Sequence, residues 1–261
     1  MTLATATAWL ARGGAVAAAI AALELLCVRH ALSDTGVFAW PILRAELATA
    51  PRWLRAIADR VFSYRGIMVV LAIQLASALA LPWLAHPALP WLVFATSLLI
   101  SIRFRGTYNG GSDAMLLVVM LALGLARSAP GSPLAAAGLA YAAAQLVLSY
   151  FVAGIAKLPD PAWRSGRAVP MLMRLPQYRA PAWATNVLSR PWVARCAAWS
   201  MLAFECVFPL ALARPSVCVV LLICGAAFHV VNAVVLGLNR FLWTWLAAYP
   251  ALLYWADRIS A

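Results

Sequence analysis

From Pro133 to Ala156 the chain carries no charged side chain, and similar apolar runs recur along most of its length. A helix rises about 1.5 Å per residue, so about 20 apolar residues match the ~30 Å hydrocarbon core of a bilayer. Inside lipid, every backbone N–H and C=O must be satisfied within the spanning structure, which leaves helices and closed barrels. Runs of this length predict helices. Composition agrees, because hydrophobic residues make up 65% and charged residues 11% of the chain. Soluble domains are roughly half apolar and about a quarter charged. The expected fold class is all-α: a polytopic integral membrane helical bundle forming one domain over residues 1–261.

Eight spans are expected, near 13–32, 64–85, 88–104, 112–128, 133–157, 192–213, 215–238 and 240–256. His86-Pro87 and Arg214-Pro215 mark two of the turns, since proline removes a donor and disfavours a helical residue before it. Residues 33–63 mix Trp40, Trp53, Leu54 and Ile57 with Arg44, Arg52, Arg55 and Arg60, which suits a helix lying in the membrane interface. Residues 158–191 form a second interfacial segment, rich in proline, tryptophan and arginine. The first apolar run does not read as a cleaved leader, because Glu24 interrupts it and Arg29-His30-Ala31-Leu32 is a poor cleavage site.

The net charge of +12 suits nucleic acid only if the basic residues line a polar face. Here they flank apolar runs, so the expected partner is the lipid bilayer and no nucleic acid. The connections after spans one, three, five and seven hold about 16 of the 20 Lys/Arg, which puts those connections in the cytoplasm and both termini outside. The five cysteines lack a C-x-x-C and mostly lie in apolar runs, so neither a disulfide framework nor a zinc site is indicated.

Lys157 is the sole lysine and closes the fifth span, whereas the other basic residues are all arginine. A desolvated lysine can lose its proton near neutral pH and arginine cannot, so Lys157 is the candidate base. The bland reading is an ammonium that snorkels to the interface. Gln145, Ser149, Ala153 and Lys157 recur at four-residue spacing and share one helix face. Ionisable groups at membrane depth are costly and face a partner or a wet cavity. By that rule Asp113, Glu205 and His229 are candidate site residues, and Glu24 and Glu205 must each be protonated or paired across helices. Asp113 also has a simpler role, in the first turn of a helix that Ser112 can cap, with Arg103, Arg105 or Lys157 as prospective partners. His229 and Asn232 lie three apart on one face. No metal site is expected, because there is no His-x-x-x-His and no Glu-x-x-His.

Tyr150, Ala153, Gly154, Lys157, Leu158, Trp163 and Gly166 together resemble the signature helix end of the HTTM (horizontally transferred transmembrane) family. That family includes the membrane part of vitamin K-dependent gamma-carboxylase and the bacterial sporulation-delaying protein B group. The turn Tyr108-Asn109-Gly110-Gly111-Ser112-Asp113 and the stretch Phe228-His229-Val230-Val231-Asn232 extend the similarity. The resemblance implies a bacterial inner-membrane protein in which Lys157 deprotonates a reduced quinone or acts on a peptide substrate. The candidate substrate-binding residues are Arg103, Arg105, Tyr108, Asn109, Tyr150, Trp163 and Asn232. Two departures stand against the full carboxylase reaction. Gly110 follows Asn109 where the carboxylase has histidine, and no soluble domain follows the last span. A third conflict is orientation: the family places the lysine segment on the lumenal side, and the charge count places it in the cytoplasm. The alternative is a non-enzymatic accessory or immunity protein that binds another membrane protein.

Overall fold

The computed structural model describes residues 1–104, 110–178 and 180–259, and every regular element among them is helical. In chain order these are α1 (Leu3–Cys27), α2 (Trp40–Leu43), α3 (Arg52–Phe62), α4 (Tyr64–Ala80), α5 (Ala88–Phe104) and α6 (Gly110–Ser128). They continue with α7 (Pro133–Lys157), α8 (Pro161–Arg164), α9 (Ala168–Met173) and α10 (Ala182–Leu188). The last three are α11 (Pro191–Val207), α12 (Pro215–Leu236) and α13 (Asn239–Ile259), with a 3-10 turn at Phe208–Leu212 prolonging α11.

Five stretches are long and apolar enough to cross a membrane: Leu3–Cys27, Gly111–Ser128, Pro133–Lys157, Pro191–Leu212 and Pro215–Leu236. The pair α3 and α4 bends by 64° at their junction and passes the same test only when taken together. α5 is apolar but 17 residues long, and α13 is not among the five. The chain is therefore a multi-pass helical membrane protein with five helices of spanning length, or six when the bent pair counts as one crossing, against the eight expected.

The first span begins about ten residues earlier than the apolar pattern suggested. Thr2 caps it, its side-chain oxygen accepting from the Thr5 N–H at 3.1 Å. The alanine-rich stretch that follows has the best intrinsic helix propensity, so Arg12 is carried inside the helix instead of ending it.

α13 lies at the centre, packed against α1, α6, α7 and α12. It buries Arg240, Thr244, Trp245 and Tyr249, which only a helix screened from lipid on all sides can do cheaply. Along α1 the buried residues Ala11, Ala15, Ala18 and Ala22 form a small-residue stripe at helical spacing. Such stripes let helices approach closely where lipid supplies no hydrophobic drive.

The arginines flank apolar runs, yet Arg103, Arg127 and Arg240 work inward, and the first two hold backbone carbonyls. Arg103 is 1% exposed and donates from Nε to the Phe62 carbonyl at 3.0 Å and from Nη2 to the Phe38 carbonyl at 2.7 Å. It ties the 33–62 segment to the end of α5. Arg127 donates to the carbonyls of Leu81 and Leu84 at 2.7 and 2.9 Å, just past the end of α4. Phe62 closes α3 and Leu81 and Leu84 follow α4, so these are the orphan carbonyls that a helix end leaves behind, for which a guanidinium fork is a fitting donor. The Phe38 carbonyl lies in the turn before α2. Within 33–63, Asp59 accepts from Trp40 Nε1 at 2.8 Å and Arg44 Nη2 at 2.9 Å, while Trp53, Leu54 and Ile57 of α3 stay exposed.

Candidate functional site

α7 and α11 run antiparallel, with Tyr150 beside Phe208 and Gly154 beside Cys206. A Cβ on residue 154 would lie 2.9 Å from both Glu205 Cβ and Cys206 Sγ, so only glycine permits this approach. One turn further on, Lys157 Nζ donates to both carboxylate oxygens of Glu205, at 2.5 and 2.7 Å. The Glu205 side chain is 4% exposed and that of Lys157 is 23% exposed. The pair is thus sealed on the carboxylate side and accessible on the ammonium side.

Trp163 holds its ring 5.3 Å from Lys157 Nζ, within cation–π range. It is carried by α8, which Asp160 starts by accepting from the Ala162 N–H at 2.8 Å. Gly166 then turns the chain with a φ of +82°, against Arg195 of α11. Only a residue without Cβ fits that position comfortably.

The pair forms one wall of a cavity of about 670 Å³ among α6, α7, α12 and α13. All four residues of the α7 face, Gln145, Ser149, Ala153 and Lys157, line it. His229 and Asn232 face it from α12, and Trp245 and Phe241 from α13. Leu148 and Val152 line it too and are exposed on the outer surface of α7, so an apolar rim leads into a polar interior. At the level of Tyr150, about 10 Å along α7 from Lys157, a second polar group is built. Tyr150 Oη lies 2.7 Å from His229 Nε2 and 3.2 Å from Tyr249 Oη.

A separate cluster ties α1, α6 and α13 together. Arg240, 6% exposed in its side chain, pairs with Asp113 and lies 3.8 Å from Glu24 Oε2. Asn239 Nδ2 donates to Glu24 Oε1 at 2.9 Å. Asp113 was expected to pair with Arg103, Arg105 or Lys157, and it pairs with Arg240 instead. It does not line the cavity, although its neighbours Gly111 and Ala114 do. The reason is rotational: successive residues at the start of α6 point to different sides, and the side of Asp113 faces α13.

Of the expected site residues, Lys157, Glu205, His229, Tyr150 and Asn232 converge on the cavity, with Trp163 behind the lysine. Arg103 lies elsewhere, holding backbone carbonyls. Arg105, Tyr108 and Asn109 lie outside the described residues. Tyr249 was missed in the sequence, although Phe241, Trp245 and Tyr249 recur at four-residue spacing on α13; the first two line the cavity and Tyr249 reaches it only through Tyr150. Among the described residues no group of His, Cys, Asp and Glu is arranged to hold a metal ion.

Residues 133–256 match the HTTM domain family. The matched stretch runs from the start of α7 through most of α13 and supplies every cavity residue except those of α6. No curated protein and no solved structure shows significant similarity to the chain.

Proposed function

We propose that this chain, a member of the HTTM family through residues 133–256, holds a lipid-soluble molecule with a polar head in its intramembrane cavity and exchanges a proton with it through Lys157. The observation that carries the reading is the Lys157–Glu205 pair, with a nearly sealed carboxylate and an accessible amine in the wall of a 670 Å³ cavity. Pockets of that size suit a small organic molecule. Transfer of one ammonium proton to Glu205 converts the charged pair into a neutral one with no change in total charge. Nζ is then left with a lone pair that can take a proton from the bound head. The apolar rim at Leu148 and Val152 favours entry from the lipid side.

Eight crossings complete the reading: the five long apolar helices, the bent pair α3–α4, α5 and α13. By the charge count, the Lys157 end and the 158–191 segment face the cytoplasm of a bacterial inner membrane. A reduced quinone or a peptide remains the substrate class that the family resemblance favours. The rival reading, an accessory protein that docks on another membrane protein, draws support from exposed Met171, Trp183 and Trp192 around the 158–191 segment.

The test is extraction in mild detergent followed by mass spectrometry of co-purified lipids and quinones. A defined small molecule should accompany the wild type, and Lys157→Arg should retain that molecule while abolishing its conversion, because arginine keeps the charge but cannot act as a base. Conversion that persists in Lys157→Arg would remove the proton-transfer role. Co-purification of a protein in place of a small molecule, unaffected by that substitution, would favour the accessory reading.

A further inference from the structure

The Tyr249–Tyr150–His229 chain lies at the far end of the same cavity, and proton transfer at Lys157 makes no use of it. His229 is 3% exposed, is one of the residues lining the cavity, and sits between Phe228 and Trp245 at ring-centre distances of 5.2 and 5.3 Å. Its Nε2 is taken by Tyr150, while its Nδ1 is buried without a partner. Among the described residues, Tyr249 Oη has no hydrogen-bond partner besides Tyr150.

Proton accounting fixes the direction of this chain. If Nε2 is bare, Tyr249 donates to Tyr150, Tyr150 donates to Nε2, and the ring proton sits on Nδ1. Both phenol protons are then used and one donor, Nδ1–H, is left over. If Nε2 carries the proton, Tyr150 must donate to Tyr249. The Tyr249 proton then has no acceptor and Nδ1 has no donor, which leaves two unmade bonds in place of one. A charged ring would also carry a proton on Nδ1. Each unmade buried bond carries the full desolvation cost of its group, so the arrangement with a single free donor is the one the geometry favours.

From this we infer that His229 is a ligand-binding residue whose Nδ1–H, once a small shift of the side chains covering it opens it to the cavity, donates to an acceptor oxygen, a carbonyl or ether, at the end remote from Lys157. The inference rests on the reading of the cavity as a ligand site and narrows the ligand class. The molecule has two polar ends: one exchanges a proton with Lys157, and the other presents an acceptor oxygen to His229. Tyr150 and Tyr249 are positioning residues that fix the imidazole tautomer.

The test uses the full chain in detergent micelles with ¹⁵N-labelled histidine. The chain has three histidines, so the His229 signals are assigned by their loss in His229→Phe. The free protein should show the Nδ1–H tautomer at His229. Two isosteric probes then read the site: 2-acetylnaphthalene, which offers a carbonyl, and 2-isopropenylnaphthalene, which does not. The ketone should shift the His229 signals and bind roughly tenfold more tightly, the worth of one hydrogen bond. That preference should vanish in His229→Phe, weaken in Tyr150→Phe and persist in Lys157→Arg. An Nε2–H tautomer, or equal binding of the two probes by the wild type, overturns the role of His229 and leaves the cavity reading standing. Binding of neither probe overturns both.

Discussion

Gly154→Ala tests whether helix proximity is what creates the Lys157–Glu205 pair. The added Cβ would stand 2.9 Å from Glu205 Cβ and Cys206 Sγ and 3.0 Å from the Cys206 nitrogen. Comfortable carbon contacts need about 3.5–4.0 Å, so α7 and α11 must part by about 0.5–1 Å. Overpacking of this kind costs about 1–3 kcal/mol. The Nζ–O separations of 2.5 and 2.7 Å would lengthen by a similar amount, to the edge of hydrogen-bond range. The loss should appear in equilibrium unfolding in mixed micelles followed by tryptophan fluorescence, and in reduced recovery of the co-purified molecule. Adding Cys206→Ala removes the sulfur contact but leaves Glu205 Cβ and the backbone nitrogen, so it should rescue stability only in part. Unchanged stability together with full ligand recovery in Gly154→Ala would refute the account, and complete rescue by Cys206→Ala would show that the sulfur alone sets the spacing.

Arg103→Lys keeps a charge but a single ammonium cannot reach both the Phe62 and Phe38 carbonyls. The expected outcome is a loss of about 1–3 kcal/mol and faster proteolysis within residues 33–51, and an unaltered digestion pattern would count against it. Arg240→Met leaves Asp113 and Glu24 without their shared cation and should cost about 3–5 kcal/mol, less a discount because Glu24 is partly solvated. Adding Asp113→Leu should recover part of that loss. If it deepens the loss, as measured by the same unfolding assay, the ion cluster is not what Arg240 supports.

Much of the architecture was legible because lipid is an unforgiving solvent. The all-helical class follows from apolar run length, and the α7 face of Gln145, Ser149, Ala153 and Lys157 follows from spacing alone. These four do line one cavity. The requirement that Glu205 and Glu24 find partners on other helices was also readable, since neither has one nearby in sequence. The identities of those partners were not. Asp113 and Lys157 each offered the opposite charge to several groups, and 48 residues separate Lys157 from Glu205. The conflict between charge count and family orientation likewise belongs to the membrane, which sequence spacing does not encode.

What the chain's own letters determined is a greasy helical bundle, its sole lysine at the end of one helix and its buried acids in need of cations. Those properties depend on hydropathy and on a 3.6-residue period, both local. Tertiary structure alone decided that Glu205 meets Lys157 and Arg240 meets Asp113. It also decided that Tyr249 joins Tyr150 and His229, because such meetings depend on how whole helices rotate and how closely they approach. A single missing side chain at Gly154 sets that distance for the pair on which the proposed chemistry stands.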